Sequence, residues 1–106
     1  MAAKRRRNIL ESVKGYRFSR SSKKRAARDA IYHAQLHAFD HRRNKKGDFR
    51  RLWIARINAA IRAHGMSYSA LIDILTKKHV VIDRKILATL ATDRPEAFGR
   101  IVAQVK

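Results

Sequence analysis

The sequence of 106 residues contains no cysteine, one proline and four glycines. Without cysteine the chain has no disulfide framework, no thiolate nucleophile and no cysteine-based zinc site. No apolar run approaches the roughly 18 residues that a membrane-spanning helix needs. The basic start, residues 1–7, is followed by Glu11, Lys14 and Gly15 rather than by the apolar core of a secretion signal, so we do not expect secretion.

Acidic residues are also scarce, with 8 Asp and Glu against 26 Lys and Arg, which gives a formal net charge of +18. The chain has no paired carboxylates, no Ser/His/Asp order and no glycine-rich phosphate loop, and eight scattered acids are hard to assemble into a two-metal nuclease. We therefore expect no enzyme, no cofactor and no small-molecule substrate. An isoelectric point near 11.6 predicts a polyanionic partner, most commonly nucleic acid.

The positive charge is concentrated in the first half: residues 1–51 hold 17 Lys and Arg with 4 acids, whereas residues 52–106 hold 9 with 4. Residues 1–25 have too few large apolar side chains to offset the entropy of ordering them, so we expect an arm that is disordered in isolation. A transit peptide would also be rich in Arg and Ser, but the basic pattern here continues beyond the point where a mature domain would begin.

A helix is predicted over residues 23–46, and two of its faces differ in chemistry. One face is apolar and almost all alanine, and its small side chains let the helix backbone approach a partner closely: Ala27, Ala30, Ile31, Ala34 and Ala38. The other carries aromatic and guanidinium groups, which stack on bases and pair with phosphates: Arg25, Arg28, Tyr32, Leu36, Phe39 and Arg43. An ordinary surface helix, with its aromatics under a neighbouring element, is the alternative.

Gly47 predicts a kink or short break before a second helix over residues 48–64. One side of that helix is core-like: Trp53, Ile54, Ile57, Ala60, Ile61 and His64. Another side is polar: Arg51, Asn58 and Arg62. Gly65 is predicted to end the helix, and Ser67 to cap the next one.

The last forty residues predict three short helices around one apolar centre. Their apolar residues fall in three groups: Leu71, Ile72, Ile74 and Leu75; Ile86, Leu87 and Leu90; Phe98, Ile101, Val102 and Val105. Asp83 is the expected cap of the second helix, and Asp93 with Glu96 a capping box for the third, with Pro95 in its first turn. The predicted fold is all-α, with a long basic N-terminal helical extension (1–58) and a small compact C-terminal helical domain (59–106).

Several segments together resemble the ribosomal protein L-twenty family of the bacterial and organellar large subunit. The longest is D-F-R-R-L-W-I-A-R-I-N-A-A (48–60), which is accompanied by H-G-M-S-Y-S (64–69) and I-D-R-K-I-L-A (82–88). K-G-Y-R (14–17), the basic run at 42–46 and P-E-A-F (95–98) extend the similarity over nearly the whole chain. Phe18 departs from the family pattern, in which glycine is common at this position, and would change how the arm bends.

The resemblance implies a structural protein whose arm lies in large-subunit rRNA, whose C-terminal domain lies on the rRNA surface, and which promotes early subunit assembly. Its partners would be large-subunit rRNA and neighbouring ribosomal proteins, with the protein's own mRNA as a further partner in some bacteria. Its place would be the ribosome of the bacterial cytoplasm or of an organelle.

Phosphate neutralisation is expected from the basic side chains Arg5, Arg6, Arg7, Lys14, Arg17, Arg20, Lys23, Lys24, Arg25, Arg28, Arg42, Arg43, Lys45, Lys46, Arg50 and Arg51. Base stacking is expected from Tyr16, Phe18, Tyr32 and Phe39, and hydrogen bonds to bases or ribose from Asn58 and Tyr68. Arg84 and Lys85 are further candidates for rRNA binding. Arg56 is expected to hold RNA opposite Trp53, which is itself assigned to the core.

Three alternatives compete with RNA binding. His33, His37 and His41 are spaced by four residues, as zinc-binding histidines can be, but a further ligand would be needed, so we expect them to face RNA or solvent and expect no metal. A basic nucleoid-type DNA-binding protein would share the charge but offer a dimer interface or a recognition helix. A membrane-active helix would need a wider apolar face than the alanine stripe offers.

Overall fold

The structure, a computed structural model, describes residues 1–106 and contains five α-helices and no strand. In chain order the elements are α1 (Ala2–Ser12), a 3₁₀ turn (Phe18–Ser21), α2 (Lys24–Arg62), α3 (Tyr68–Lys77), α4 (Arg84–Asp93) and α5 (Pro95–Val105). The predicted all-α fold is therefore confirmed. None of the helices combines the length and apolar composition that crossing a bilayer requires.

The chain divides into two compact units, which we call the arm unit (Met1–Asn44) and the helical unit (Lys45–Lys106). The boundary falls inside α2. The division of the chain into a binding arm at 1–58 and a globular domain at 59–106 stays a prediction about where each function lies.

The arm unit has very little core. Only Val13 and Ala27 are fully buried in it, and α1 buries no residue. The sequence predicted a helical extension over 1–58 but defined no helix before residue 23, whereas the structure places α1 there. Ala, Arg and Leu have high intrinsic helix propensity, so a short helix can form here on local preference without a strong apolar stripe.

The long helix α2 is continuous, and the predicted break at Gly47 is wrong. A single glycine within a helix costs only about 1 kcal/mol relative to alanine, and the strong helix formers on both sides outweigh it. Beyond Gly47, the carboxylate of Asp48 accepts a hydrogen bond from Arg51 Nη1 at 3.0 Å, a helical i,i+3 pair.

The helical unit packs α2, α3, α4 and α5 around one apolar core, as predicted. Its buried members come from all four helices: Ile57, Ile61, Leu71, Leu75, Leu87, Ala88, Phe98, Val102 and Val105. Trp53 is half-buried at the edge of this core. Ile86 departs from the prediction, since it is half exposed while its neighbours Leu87 and Ala88 are buried.

The helix ends agree in part with the sequence. Gly65 takes φ +76 after α2, where the N–H of Met66 donates to Ile61 O, and the Ser67 hydroxyl accepts from the N–H of Ala70 at the start of α3. The predicted capping box before α5 is wrong. Asp93 is the last residue of α4, and Arg94 occupies the cap position with no side-chain hydrogen bond.

Candidate nucleic-acid interface

The basic side chains are almost entirely free of internal carboxylate partners. Of the 26 Lys and Arg, two lie in ion pairs, Arg51 with Asp48 and Lys77 with Asp73, and both pairs are solvent-exposed. Exposed pairs within one helix stabilise a protein by only a few tenths of a kcal/mol. The remaining cations leave a strongly positive field that attracts polyanions.

The structure exposes nearly all of the predicted rRNA-binding side chains. Every basic residue proposed between Arg5 and Arg56 is exposed, as are Tyr16, Tyr32 and Lys85. Three predicted residues are only half exposed, and all three belong to the helical unit: Asn58, Tyr68 and Arg84. The exposed set is accessible from solvent in this structure.

Along α2, the mixed aromatic and guanidinium face of the arm unit is open to solvent. Tyr32, Leu36 and Phe39 are each about half exposed or more, so no neighbouring element covers them. The Arg43 guanidinium lies 5.1 Å from the centre of the Phe39 ring, a cation–π distance. This pairing holds a flat cation beside an exposed ring, the combination that suits a stacked base and its phosphate.

Two more exposed apolar side chains were missed by the sequence prediction. Phe49 and Leu52 are each more than 40% exposed on α2, and Lys45 lies 5.8 Å from the Phe49 ring centre. Phe49 follows the same pattern as Phe39, an exposed ring with a cation four residues away on the helix. That spacing is visible in the sequence and could have identified it.

The solvent exposure of the alanine face of α2 increases along the helix from Ala27 to Ala38. Ala27 is buried, Ala30 and Ile31 are half-buried, and Ala34 and Ala38 are exposed. Part of this face lines a cavity of about 690 Å³ whose other walls include Tyr16, Arg20, His33 and His37. The lining also includes the carboxylate of Asp29, so small side chains on one wall face groups of both charges and two imidazoles on the others.

The three predicted helix-spaced histidines are all exposed on α2. The rings of His37 and His41 have centroids 6.2 Å apart and are tilted by 33°. No group of three or more His, Cys, Asp or Glu side chains lies close enough together to hold a metal ion.

Arg56 does not lie opposite Trp53, and that prediction is corrected. Three residues along an α-helix turn through about 300°, which places Arg56 on the side adjacent to Trp53. Arg56 is nevertheless exposed, whereas the next residue, Ile57, is fully buried. It therefore remains available to RNA from the edge of the core-facing side.

Asn58, Tyr68 and Arg84 form a chain of hydrogen bonds inside the helical unit. The Tyr68 N–H donates to Asn58 Oδ1 at 3.3 Å, and Arg84 Nε donates to the Tyr68 hydroxyl at 2.7 Å. The sequence prediction placed these residues in direct contact with RNA but did not predict that they bond to one another. No sequence signal links them, because the pairs are 10 and 16 residues apart.

Close to Arg84 lies a cavity of about 280 Å³ lined by Arg50, Trp53, Asp83, Arg84 and Lys85. It brings together residues from α2 and from the start of α4. The I-D-R-K segment and the W-containing segment of the sequence thus meet at one place in the fold.

The backbone of the arm is left-handed at Phe18, which has φ +56 and a side chain that is 92% exposed. Left-handed backbone costs a non-glycine residue about 1–2 kcal/mol. Phe18 thus takes a backbone angle that glycine adopts without strain, and its effect on the bend of the arm stays a prediction.

Comparison with known proteins gives one consistent result. The family described as ribosomal protein L20 matches residues 1–101 of the chain. The large ribosomal subunit protein bL20 of Roseiflexus castenholzii is 51% identical over 106 residues, which are all of this chain and 91% of the relative. The bL20 protein of Chloroflexus aurantiacus is 51% identical over all of this chain and 89% of its own length. That of Methylibium petroleiphilum is 50% identical over 105 residues, 99% of this chain and 89% of the relative.

Proposed function

The chain belongs to the ribosomal protein L20 family, and we propose that it binds large-subunit rRNA and promotes early assembly of the large ribosomal subunit. Its relatives are named as proteins of the large subunit, so the chain is a structural, non-enzymatic component of a bacterial or organellar ribosome. The family resemblance seen in the sequence is confirmed. Binding of the chain's own mRNA is supported by no feature of the fold and stays a prediction.

The observation that carries the rRNA proposal is the surplus of unpartnered cations in the arm unit. Residues 1–44 contain 13 Lys and Arg and 3 acids, and none of them is in an ion pair. Each Lys or Arg that neutralises a phosphate releases a condensed counterion, so affinity from such a surface is high at low salt and falls steeply as salt rises.

RNA is favoured over duplex DNA by the exposed rings that accompany those cations. Tyr32, Phe39 and Phe49 are exposed on α2, and unpaired bases of folded RNA stack on such rings, whereas paired bases of a duplex do not reach them. A nucleoid-type DNA-binding protein would share the charge but would not need exposed rings for stacking on unpaired bases. The aromatic side chains therefore support structured RNA as the partner.

A role in assembly follows from the same charge distribution. Folding rRNA brings segments of phosphate backbone together against their mutual repulsion, and a chain with cations along α1, the 3₁₀ turn and α2 can neutralise several segments at once. An arm with only two buried residues also gains little from folding alone, so ordering it on RNA couples protein order to RNA order.

The proposal is tested by titrating the full chain against folded domains of large-subunit rRNA and against duplex DNA of equal length over a salt series. We expect one rRNA domain to be preferred, and the preference to persist at raised salt because stacking contacts are less salt-dependent than phosphate contacts. Equal affinity for RNA and DNA at every salt concentration would contradict rRNA recognition and favour nucleoid packaging.

The proposed role in subunit assembly is tested by a separate experiment. Large-subunit rRNA is refolded with the other subunit proteins in the presence and absence of this chain, and particles are separated by sedimentation. We expect particles that form without the chain to stall as smaller intermediates. Full-sized particles forming at the same rate without it would contradict a role in assembly.

A further inference from the structure

We propose that the cavity lined by Arg50, Trp53, Asp83, Arg84 and Lys85 binds one unpaired RNA nucleotide, with its base on Trp53 and its phosphate on the cations. The proposal rests on the proposed function, because the nucleotide would belong to the bound RNA. It assigns Trp53 to ligand binding as well as to the core, and it gives Tyr68 and Asn58 a positioning role instead of direct RNA contact.

The size and charge of the cavity fit a single nucleotide. Its volume of about 280 Å³ lies near the lower end of the ~300–1,000 Å³ typical of small-ligand sites, so it suits one extruded residue of RNA. Three of its five lining residues are cations and one is a carboxylate, which leaves a net positive site. None of the three cations is in an ion pair, so each can contact a phosphate.

Trp53 is held in place on one part of its surface and open on another. It packs against the apolar core of the helical unit and also lines the cavity, and it is half-buried overall. The Phe49 ring lies 6.2 Å from it at an angle of 31°. A side chain fixed in this way loses little rotamer entropy when a base stacks on it, and base–aromatic stacking is a main source of affinity for unpaired RNA.

The side chain of Arg84 is held in place by a hydrogen bond to Tyr68, which is itself bonded to Asn58. Its Nε is already bonded to the Tyr68 hydroxyl at 2.7 Å, and Tyr68 is in turn tied through its N–H to Asn58 Oδ1. The two terminal nitrogens of the guanidinium make no hydrogen bond within the protein, so they are free to form a forked contact to a phosphate. Tyr68 and Asn58 thus act on the nucleotide through Arg84.

Asp83 gives the cavity an acceptor of its own. It stands at the cap position of α4, but its side chain makes neither a capping hydrogen bond nor an ion pair. A free carboxylate beside three cations can accept a hydrogen bond from a base amino group or from a ribose 2′-hydroxyl. The second of these acceptor contacts would select RNA over DNA.

Binding at this site can be measured by tryptophan fluorescence, because Trp53 is the only tryptophan of the chain. The full chain is titrated with single-stranded hexa-adenylate RNA, with a duplex RNA of the same length, and with inorganic phosphate, while tryptophan fluorescence is recorded. We expect the single strand to quench the emission at lower concentration than either other probe. Quenching by inorganic phosphate at the same concentration would indicate an anion site without base recognition, and would overturn the nucleotide proposal.

Variants then distinguish residues that contact the RNA from those that only position Arg84. Arg84→Ala should weaken binding of the hexamer about tenfold, and Tyr68→Phe, which removes only the hydroxyl, about threefold. Lys78→Ala is the matched control, since it removes one exposed charge of the same unit outside the cavity. Trp53→Phe, which keeps an apolar ring against the core, should weaken binding about fivefold, measured by anisotropy of labelled RNA. Circular dichroism checks that each variant keeps its helix content.

Different results would contradict the nucleotide site and rRNA binding. If Arg84→Ala, Tyr68→Phe and Trp53→Phe all bind the hexamer like Lys78→Ala, the nucleotide site is wrong, even where the unaltered chain still prefers an rRNA domain. If the unaltered chain shows no rRNA preference in the salt series, the proposed function fails, whatever the hexamer does. An unchanged Trp53 spectrum in the complex with the preferred rRNA domain would also overturn the site.

Discussion

The arm unit and the helical unit carry the same number of cations but differ in how much apolar core they bury. Each has 13 Lys and Arg, with 3 acids in residues 1–44 and 5 in residues 45–106. The helical unit buries nine residues in one cluster, whereas the arm unit buries two. A high density of positive charge is therefore compatible with a folded core where apolar side chains converge from several helices. Where they do not converge, the helices depend on a partner for their order.

The largest expected effect is the loss of core packing in the helical unit. Phe98 is 2% exposed, and Phe98→Ala should lower the free energy of unfolding by about 3–5 kcal/mol because it leaves a large cavity. In the arm unit, Val13→Ala removes two buried methylene equivalents and should lower the free energy of unfolding by no more than about 1–2 kcal/mol, because the free arm has little order to lose. Urea unfolding followed by circular dichroism measures both. Equal destabilisation by the two substitutions would show that the units share one cooperative core.

The second effect separates the units by their contribution to RNA affinity. Replacing Arg5, Arg6 and Arg7 together by Gln should reduce the slope of log affinity against log salt by about three, because three phosphates are no longer neutralised. The matched control replaces Lys78, Arg94 and Arg100, three exposed cations of the helical unit, in the same way. Identical slopes for the two triple variants would mean that the position of the charge is immaterial.

A smaller change in stability is expected from relieving backbone strain at two residues, one in each unit. Phe18 has φ +56 and His79 has φ +55, the second at the end of α3, where the N–H of Val80 donates to Leu75 O. His79→Gly should raise the urea midpoint of the helical unit, with a gain of about 0.5–1 kcal/mol, since glycine adopts this angle without strain. Phe18→Gly relieves the same strain in the arm unit. It should leave that midpoint unchanged, and an equal gain from both would argue against independent units.

The smallest effect concerns the glycine inside α2. A Cβ at Gly47 would lie 3.7 Å from Arg51 Nη2, an ordinary contact with a flexible side chain. Gly47→Ala should therefore stabilise the helix by up to about 1 kcal/mol, read as a small rise in the thermal midpoint. A fall in the midpoint would indicate that the helix needs a glycine at this point.

The core of the helical unit was more accessible to sequence reasoning than the arm unit or the helix boundaries, for physical reasons. Ser67, Gly65 and the apolar face of Ile57 and Ile61 are local signals, and the structure agrees with each. The break at Gly47 and the capping box at Asp93 were wrong because one weak local preference was outweighed by its neighbours. The α1 helix was missed because its pattern has no apolar stripe.

The site was predictable in composition but not in arrangement. The exposed cations follow from the sequence, because 8 acidic residues are too few to pair with 26 Lys and Arg. The chain from Asn58 through Tyr68 to Arg84 depends on the packing of α2, α3 and α4, which periodicity does not give. Trp53 was assigned to the core alone because its apolar neighbours dominate the pattern, although it also lines the cavity.

Amide hydrogen exchange of the full chain, free and bound to its preferred rRNA domain, tests the contrast between the units most directly. In the free chain we expect slow exchange in α3, α4, α5 and the α2 residues around Ile57, and fast exchange throughout residues 1–44. Binding should then slow exchange mainly in residues 1–44. Equal protection of both units without RNA would contradict the account.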